Sequence, residues 1–139
     1  MNTIFFIDDD VKRVSSYIDS LKQSGYNVIL ETNSSQVIPK FRENQKEIEL
    51  IILDMMMPTE KELKEETEYG RRKGLYLLKK IREISQDVPI IILTVVRDAT
   101  LSEETKKYGA SPYLEKPILP SRLEEEVKKK LEESKKEGK

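Results

Sequence analysis

The sequence predicts an α/β fold built on five parallel strands, and three features predict it. Short apolar runs such as Leu50–Leu53 and Ile90–Leu93 show no alternation, which marks strands buried on both faces. Segments with apolar residues at helical spacing separate these runs. The polar residues that break the pattern stand directly after the runs, at strand carboxyl ends, where open α/β sheets place their ligands.

Taken in order, Thr3–Ile7 is an apolar β-former run and reads as the first strand, ending in Asp8-Asp9-Asp10. Val11, Val14, Ser15, Ile18 and Leu21 then fall on one helical face; Asp10 is placed to cap that helix and Gly25 to stop it. Tyr26–Glu31 reads as the second strand. Asn33-Ser34-Ser35 makes a turn and cap, and a helix follows through Val37, Ile38 and Phe41, with Pro39 expected in its first turn. Leu50–Leu53 is the third strand; it stops at Asp54, and Pro58 keeps the next residues from continuing the ladder.

The stretch 59–73 is nearly all polar and reads as a charged insertion, either a solvated loop or a lid or partner-binding element. Gly74–Ser85 carries Leu75, Leu77, Leu78, Ile81 and Ile84 on a helical face. Val88–Thr94 is the fourth strand and ends in a hydroxyl. Ala99–Tyr108 is a short helix closed by Gly109. Pro112–Glu115 is a brief fifth strand followed by Lys116-Pro117. The last helix begins near Pro120-Ser121 and carries Leu123, Val127 and Leu131; the charged tail 132–139 is expected to fray. No repeat or linker divides the 139 residues, so one domain is expected over 1–139.

Composition narrows the chemistry. The chain contains neither cysteine nor histidine, which excludes disulfides, thiol catalysis, His triads and His metal sites within it. Carboxylates, hydroxyls, Lys, Arg and the backbone must carry any reaction. A net charge of -1 gives no argument for nucleic acid or a membrane surface. No apolar run reaches membrane-spanning length and the start does not read as a signal peptide, so a cytoplasmic location is expected.

Asp8 and Asp9 follow strand 1, Asp54 strand 3, Thr94 strand 4 and Lys116 strand 5. In a doubly wound sheet of order 2-1-3-4-5 these ends converge. Bare carboxylates at that distance repel, and a hard divalent cation such as Mg²⁺ removes the conflict. The same set suits phosphoryl transfer. Asp54 would attack phosphorus, Lys116 would pair with one phosphoryl oxygen, and Thr94 would donate to another. Singly, each residue has an ordinary explanation as cap, turn or strand filler. Together and in this order, they do not.

Four stretches carry a resemblance: Ile4–Asp10, Ile51–Pro58, Pro89–Thr94 and Tyr108–Pro117. In these the chain resembles the receiver domain of two-component response regulators, of the chemotaxis-regulator type. The resemblance implies a flavodoxin-like (βα)5 fold. It implies that Asp54 is the phosphoacceptor, served by a sensor histidine kinase or phosphotransfer protein. It also implies Mg²⁺ held by Asp8, Asp9, Asp54 and the Met56 carbonyl, a cis peptide before Pro117, and Thr94 and Tyr113 as a switch pair. The surface altered would be helix 4, strand 5 and helix 5, read by a downstream protein target, with a phosphorylation-dependent homodimer among the partners the resemblance allows. Such a domain is a signalling switch that takes part in its own phosphorylation and dephosphorylation, not an enzyme.

Three departures from the family pattern stand out. Val95 occupies a position where the family has a small residue. The 59–73 stretch lengthens a short loop. No effector domain follows helix 5, so the domain is expected to act alone or to belong to a longer regulator. Met56 and Val96, both apolar, cannot orient an attacking water, so slow self-dephosphorylation is expected. Two other readings compete. A haloacid-dehalogenase-type phosphatase would use Asp8 and Asp10, but it lacks a late acidic pair and leaves Asp54 unexplained. A phosphate-independent binding module would rest on Val95 and the long loop.

Overall fold

A computed structural model describes residues 2–57 and 73–137. The expected stop at Pro58 and the charged stretch from 59 to 72 lie outside the described residues; Lys73, taken above as its end, opens a helix. The strands are β1 (Thr3–Ile7), β2 (Asn27–Glu31), β3 (Ile48–Leu53), β4 (Ile90–Thr94) and β5 (Ala110–Glu115). The helices are α1 (Val11–Gln23), α2 (Ser34–Asn44), α3 (Lys73–Ile84), α4 (Ala99–Lys107) and α5 (Pro120–Glu137). All strand pairs are parallel, in the order β2-β1-β3-β4-β5. The fold class and strand order are those the sequence predicts.

The unbroken apolar strands are explained by a core on each face. Phe5, Ile7, Ile51, Leu53, Ile90 and Ile92 point to the face covered by α2, α3 and α4. Ile4, Phe6, Leu50, Ile52, Ile91 and Leu93 point to the other, covered by α1 and α5. Alternate residues serve alternate layers, so the middle of each central strand is apolar on both faces.

Short polar side chains start the helices. Asp10 caps α1 by accepting from the Arg13 N–H at 3.2 Å, Asn33 caps α2 from the Ser35 N–H at 3.0 Å, and Asp98 caps α4 from the Leu101 N–H at 3.1 Å. After α1, Gly25 adopts φ 98°, a left-handed backbone that glycine accepts without strain.

Several boundaries differ from expectation. Capping by Asn33 starts α2 at Ser34, which puts Pro39 inside the helix and past its first turn. Tyr26, Val88 and Pro89 fall outside the strands, while β3 starts at Ile48 and β5 at Ala110. Pro112 can sit in β5 because that strand is at the sheet edge, where the register against β4 shifts between Ile90 and Ile92. Ser111–Pro112 is cis, and so is Lys116–Pro117 as expected. The tail does not begin to lose its helix at Glu132: α5 runs to Glu137. Glu124, Glu125, Glu126 and Glu132 each stand four residues before a lysine, the spacing and orientation that favour helix. Among the described residues no helix is long and apolar enough to cross a membrane.

Candidate functional site

The parallel sheet delivers five polar residues to one end. The β-ladder carries each chain past its last strand residue: the Asp8 N–H donates to Glu31 O at 3.1 Å, the Asp54 N–H to Ile7 O at 3.1 Å, and the Lys116 N–H to Thr94 O at 2.8 Å. Asp8, Asp54, Thr94 and Lys116 are all buried, whereas Asp9 is exposed. Carboxylate oxygens of Asp8, Asp9 and Asp54 lie within 4.8 Å of one another, so the group could hold a metal ion.

Lys116 closes the site from the far side of the sheet. Its Nζ lies 2.6 Å from Asp8 Oδ2 and 3.4 Å from Asp54 Oδ2. The acids are further held by the backbone: the Asp10 N–H donates to Asp8 Oδ1 at 2.9 Å and the Met56 N–H to Asp54 Oδ1 at 3.0 Å. Burial and the neighbouring Asp8 push the Asp54 carboxyl up to about 6, against the opposing pull of Lys116, the Thr94 hydroxyl and the Met56 N–H. Burial and Asp8 also raise Asp9. Burial alone would lower Lys116, but Asp54 and Asp8 outweigh it and hold the ammonium charged.

A cleft of about 500 Å³ opens onto this group, lined by Asp9, Asp54, Met56, Val95 and Lys116 with the start of α1. Val95 is 41% exposed, so it borders the entrance without filling it. Asp10 caps α1 and pairs with Arg13 Nε at 3.2 Å, which leaves it engaged in structure.

Thr94 and Tyr113 meet at one residue. The Val96 N–H donates to Thr94 Oγ1 at 3.3 Å, and the Tyr113 hydroxyl donates to Val96 O at 2.7 Å. Burial first, then Asp98, Glu115 and Asp54, push the Tyr113 phenol up to about 12, so it remains a donor.

A profile described as the response regulator receiver domain matches residues 4–128. The chain belongs to that family. This receiver domain is 29% identical over 135 residues to the transcriptional regulatory protein ZraR of Salmonella typhimurium, covering 97% of the chain and 27% of that protein. It is 31% identical over 119 residues to the transcriptional regulatory protein CpxR of Escherichia coli, covering 85% of the chain and 44% of that protein. The receiver therefore spans about a quarter of the one relative and less than half of the other. Among solved structures, a CheY-like receiver domain protein from Methanospirillum hungatei superposes with a TM-score of 0.83 at 25% identity, covering 99% of this chain and 98% of that one. The receiver domain of a LuxO-type repressor from Vibrio parahaemolyticus gives 0.80 at 25% identity, covering 99% and 95%.

Sequence reasoning about the receiver's site missed two neighbours. Gly74, near the start of α3, donates its N–H to Met55 O at 2.8 Å, and a Cβ there would lie 2.3 Å from Asp54 O. The visible signal was only a glycine at the head of a helical pattern. Arg97, the residue after Val96, pairs with Glu115, the residue before Lys116, at 3.0 Å, an exposed pair with no sequence signal.

Proposed function

We propose that this receiver is a phosphorylation-switched signalling module of a two-component system, with Asp54 as its phosphoacceptor. The observation that carries the reading is the convergence of Asp8, Asp9, Asp54, Thr94 and Lys116 at one end of the sheet, beside an open cleft. Asp54 Oδ attacks the phosphorus of a donor phosphohistidine. The P–N bond breaks, the imidazole leaves with its electron pair and takes up a proton, and Asp54 becomes an acyl phosphate. Lys116 turns from the acids to a phosphoryl oxygen as a compact positive charge. The Thr94 hydroxyl leaves the Val96 N–H and donates to another oxygen. Tyr113, already bonded to Val96, follows that movement inward, and the face of α4, β5 and α5 changes with it.

The donor set suits Mg²⁺: hard carboxylate oxygens from Asp8, Asp9 and Asp54 would hold it, and Met56, which lines the same cleft, would add its carbonyl. When bound, Mg²⁺ offsets charge on the transferred oxygens. The phosphodonor would be a sensor histidine kinase or phosphotransfer protein, and the changed face would be read by a downstream protein or by a second copy, in the cytoplasm. The whole chain would act as one such domain. Engagement of Asp10 with the α1 cap and Arg13 disfavours the phosphatase alternative, and the unfilled cleft beside Val95 disfavours a phosphate-independent module.

Intact mass after incubation with Mg²⁺ and acetyl phosphate tests this directly. One added phosphoryl group on the wild type and none on Asp54→Ala is expected. An adduct surviving in the variant, or none on folded wild type, would sink the proposal.

A further inference from the structure

Tyr17 lies in the second turn of α1, 5% exposed, with its ring in the core layer shared with α5. Its hydroxyl donates to Ile118 O at 3.0 Å and accepts from the Ile118 N–H at 3.1 Å. One phenol therefore satisfies both backbone groups of one residue, 101 positions away. Ile118 lies in the connection from β5 to α5, outside any ladder, so its N–H and C=O need partners from elsewhere.

That connection also carries Lys116. Its chain is tied upstream by the Lys116 N–H to Thr94 O and two residues downstream by Tyr17. Tyr17 in turn stands on the helix that Asp10 caps, and the Asp10 N–H holds Asp8 Oδ1 at 2.9 Å. The phenol thus joins the element that follows the acids to the turn that follows the lysine. We propose that Tyr17 is a positioning residue that sets the reach of the Lys116 ammonium toward Asp8 and Asp54. Resting on the proposed role of Lys116, it sets the reach toward the incoming phosphoryl group as well.

The test uses the full chain and Tyr17→Phe, which keeps the ring and removes both bonds. In the wild type, amide exchange should show the Ile118 N–H protected despite its place in a connection; an unprotected amide there overturns the proposal without any variant. NMR of lysine-labelled protein should show a slowly exchanging Lys116 ammonium in the wild type that shifts or broadens in folded Tyr17→Phe. An unchanged Lys116 signal overturns the proposal. Phosphorylation by acetyl phosphate should slow about tenfold in Tyr17→Phe, as expected for a misplaced charge. It should slow no further when Tyr17→Phe is added to Lys116→Ala, and full additivity overturns the proposal. Failure of the wild type to take up phosphoryl at all would remove the reading of Lys116 as its partner, while the two NMR results would still decide the positioning role.

Discussion

Gly74 has no side chain because the backbone at Asp54 and Met55 already fills that space. A Cβ would also lie 2.4 Å from Met55 Cα, and backbone atoms cannot swing away as a side-chain tip could. Gly74→Ala should therefore destabilise the domain by about 2 kcal/mol or more, read by denaturant unfolding, and should slow phosphorylation by displacing Asp54. Glu31 shows a different residue-level balance. Burial pushes its carboxyl up, but the Asn33 N–H, the Lys40 ammonium at 3.0 Å and the Thr32 N–H outweigh that and hold it below its ordinary value. A depressed folded-state value stabilises the fold above the unfolded value of 4.5, and that contribution is lost as pH falls through the folded value. The stability advantage of wild type over Glu31→Gln should be full at pH above 5 or so and shrink as acid is added; a gap that widens in acid would contradict this sign. The side chains of Met56 and Val96 offer no polar atom that could orient a water beside the proposed acyl phosphate. Met56→Asn should accordingly shorten the lifetime of the adduct by roughly tenfold, measured by mass against time.

Between elements, Arg82 ties several backbone segments together. From α3 it donates to Ser85 O, Val88 O, Tyr108 O and Gly109 O, and so binds the approach to β4 and the end of α4 to one guanidinium. Arg82→Ala would strand these carbonyls and should cost about 3 kcal/mol in unfolding experiments, with exchange protection lost first around Tyr108 and Gly109. Nothing in the sequence marked this arginine, because its partners are backbone oxygens brought near only by folding. The strands were legible for the opposite reason. An unbroken run such as Ile90–Leu93 has few alternatives once each face is apolar. Their borders were less so: Val88 is apolar, but Pro89 lacks an N–H, and the ladder starts one residue later. Pro39 was misplaced because Asn33, Ser34 and Ser35 can all cap, and only the structure shows that Asn33 does.

On the scale of the whole molecule, the candidate site was legible because a parallel sheet sends every strand's carboxyl end to the same side. Asp8, Asp9, Asp54, Thr94 and Lys116 could be grouped from order alone. Tyr17 and Gly74 could not, since the contacts that give them meaning are set by the packing of α1 and α3. A ligand held by several strand ends should stabilise the fold as a unit. Addition of Mg²⁺ should raise the unfolding free energy of the wild type by about 2.7 kcal/mol at a hundredfold excess over Kd, and raise that of Asp54→Asn less. An equal rise in both would argue against Asp54 as a ligand.

The Asp8–Lys116 pair closes a loop of 108 residues. Acids arrive with the first strand and their countercharge only with the last. Until β5 has been made, the chain cannot bring the Lys116 ammonium to the acids that follow β1 and β3. Contacts of such sequence separation are the slowest to form. A chain cut before β5, however well its first βα units have folded, keeps Asp8 and Asp54 but lacks the ammonium that meets both of them.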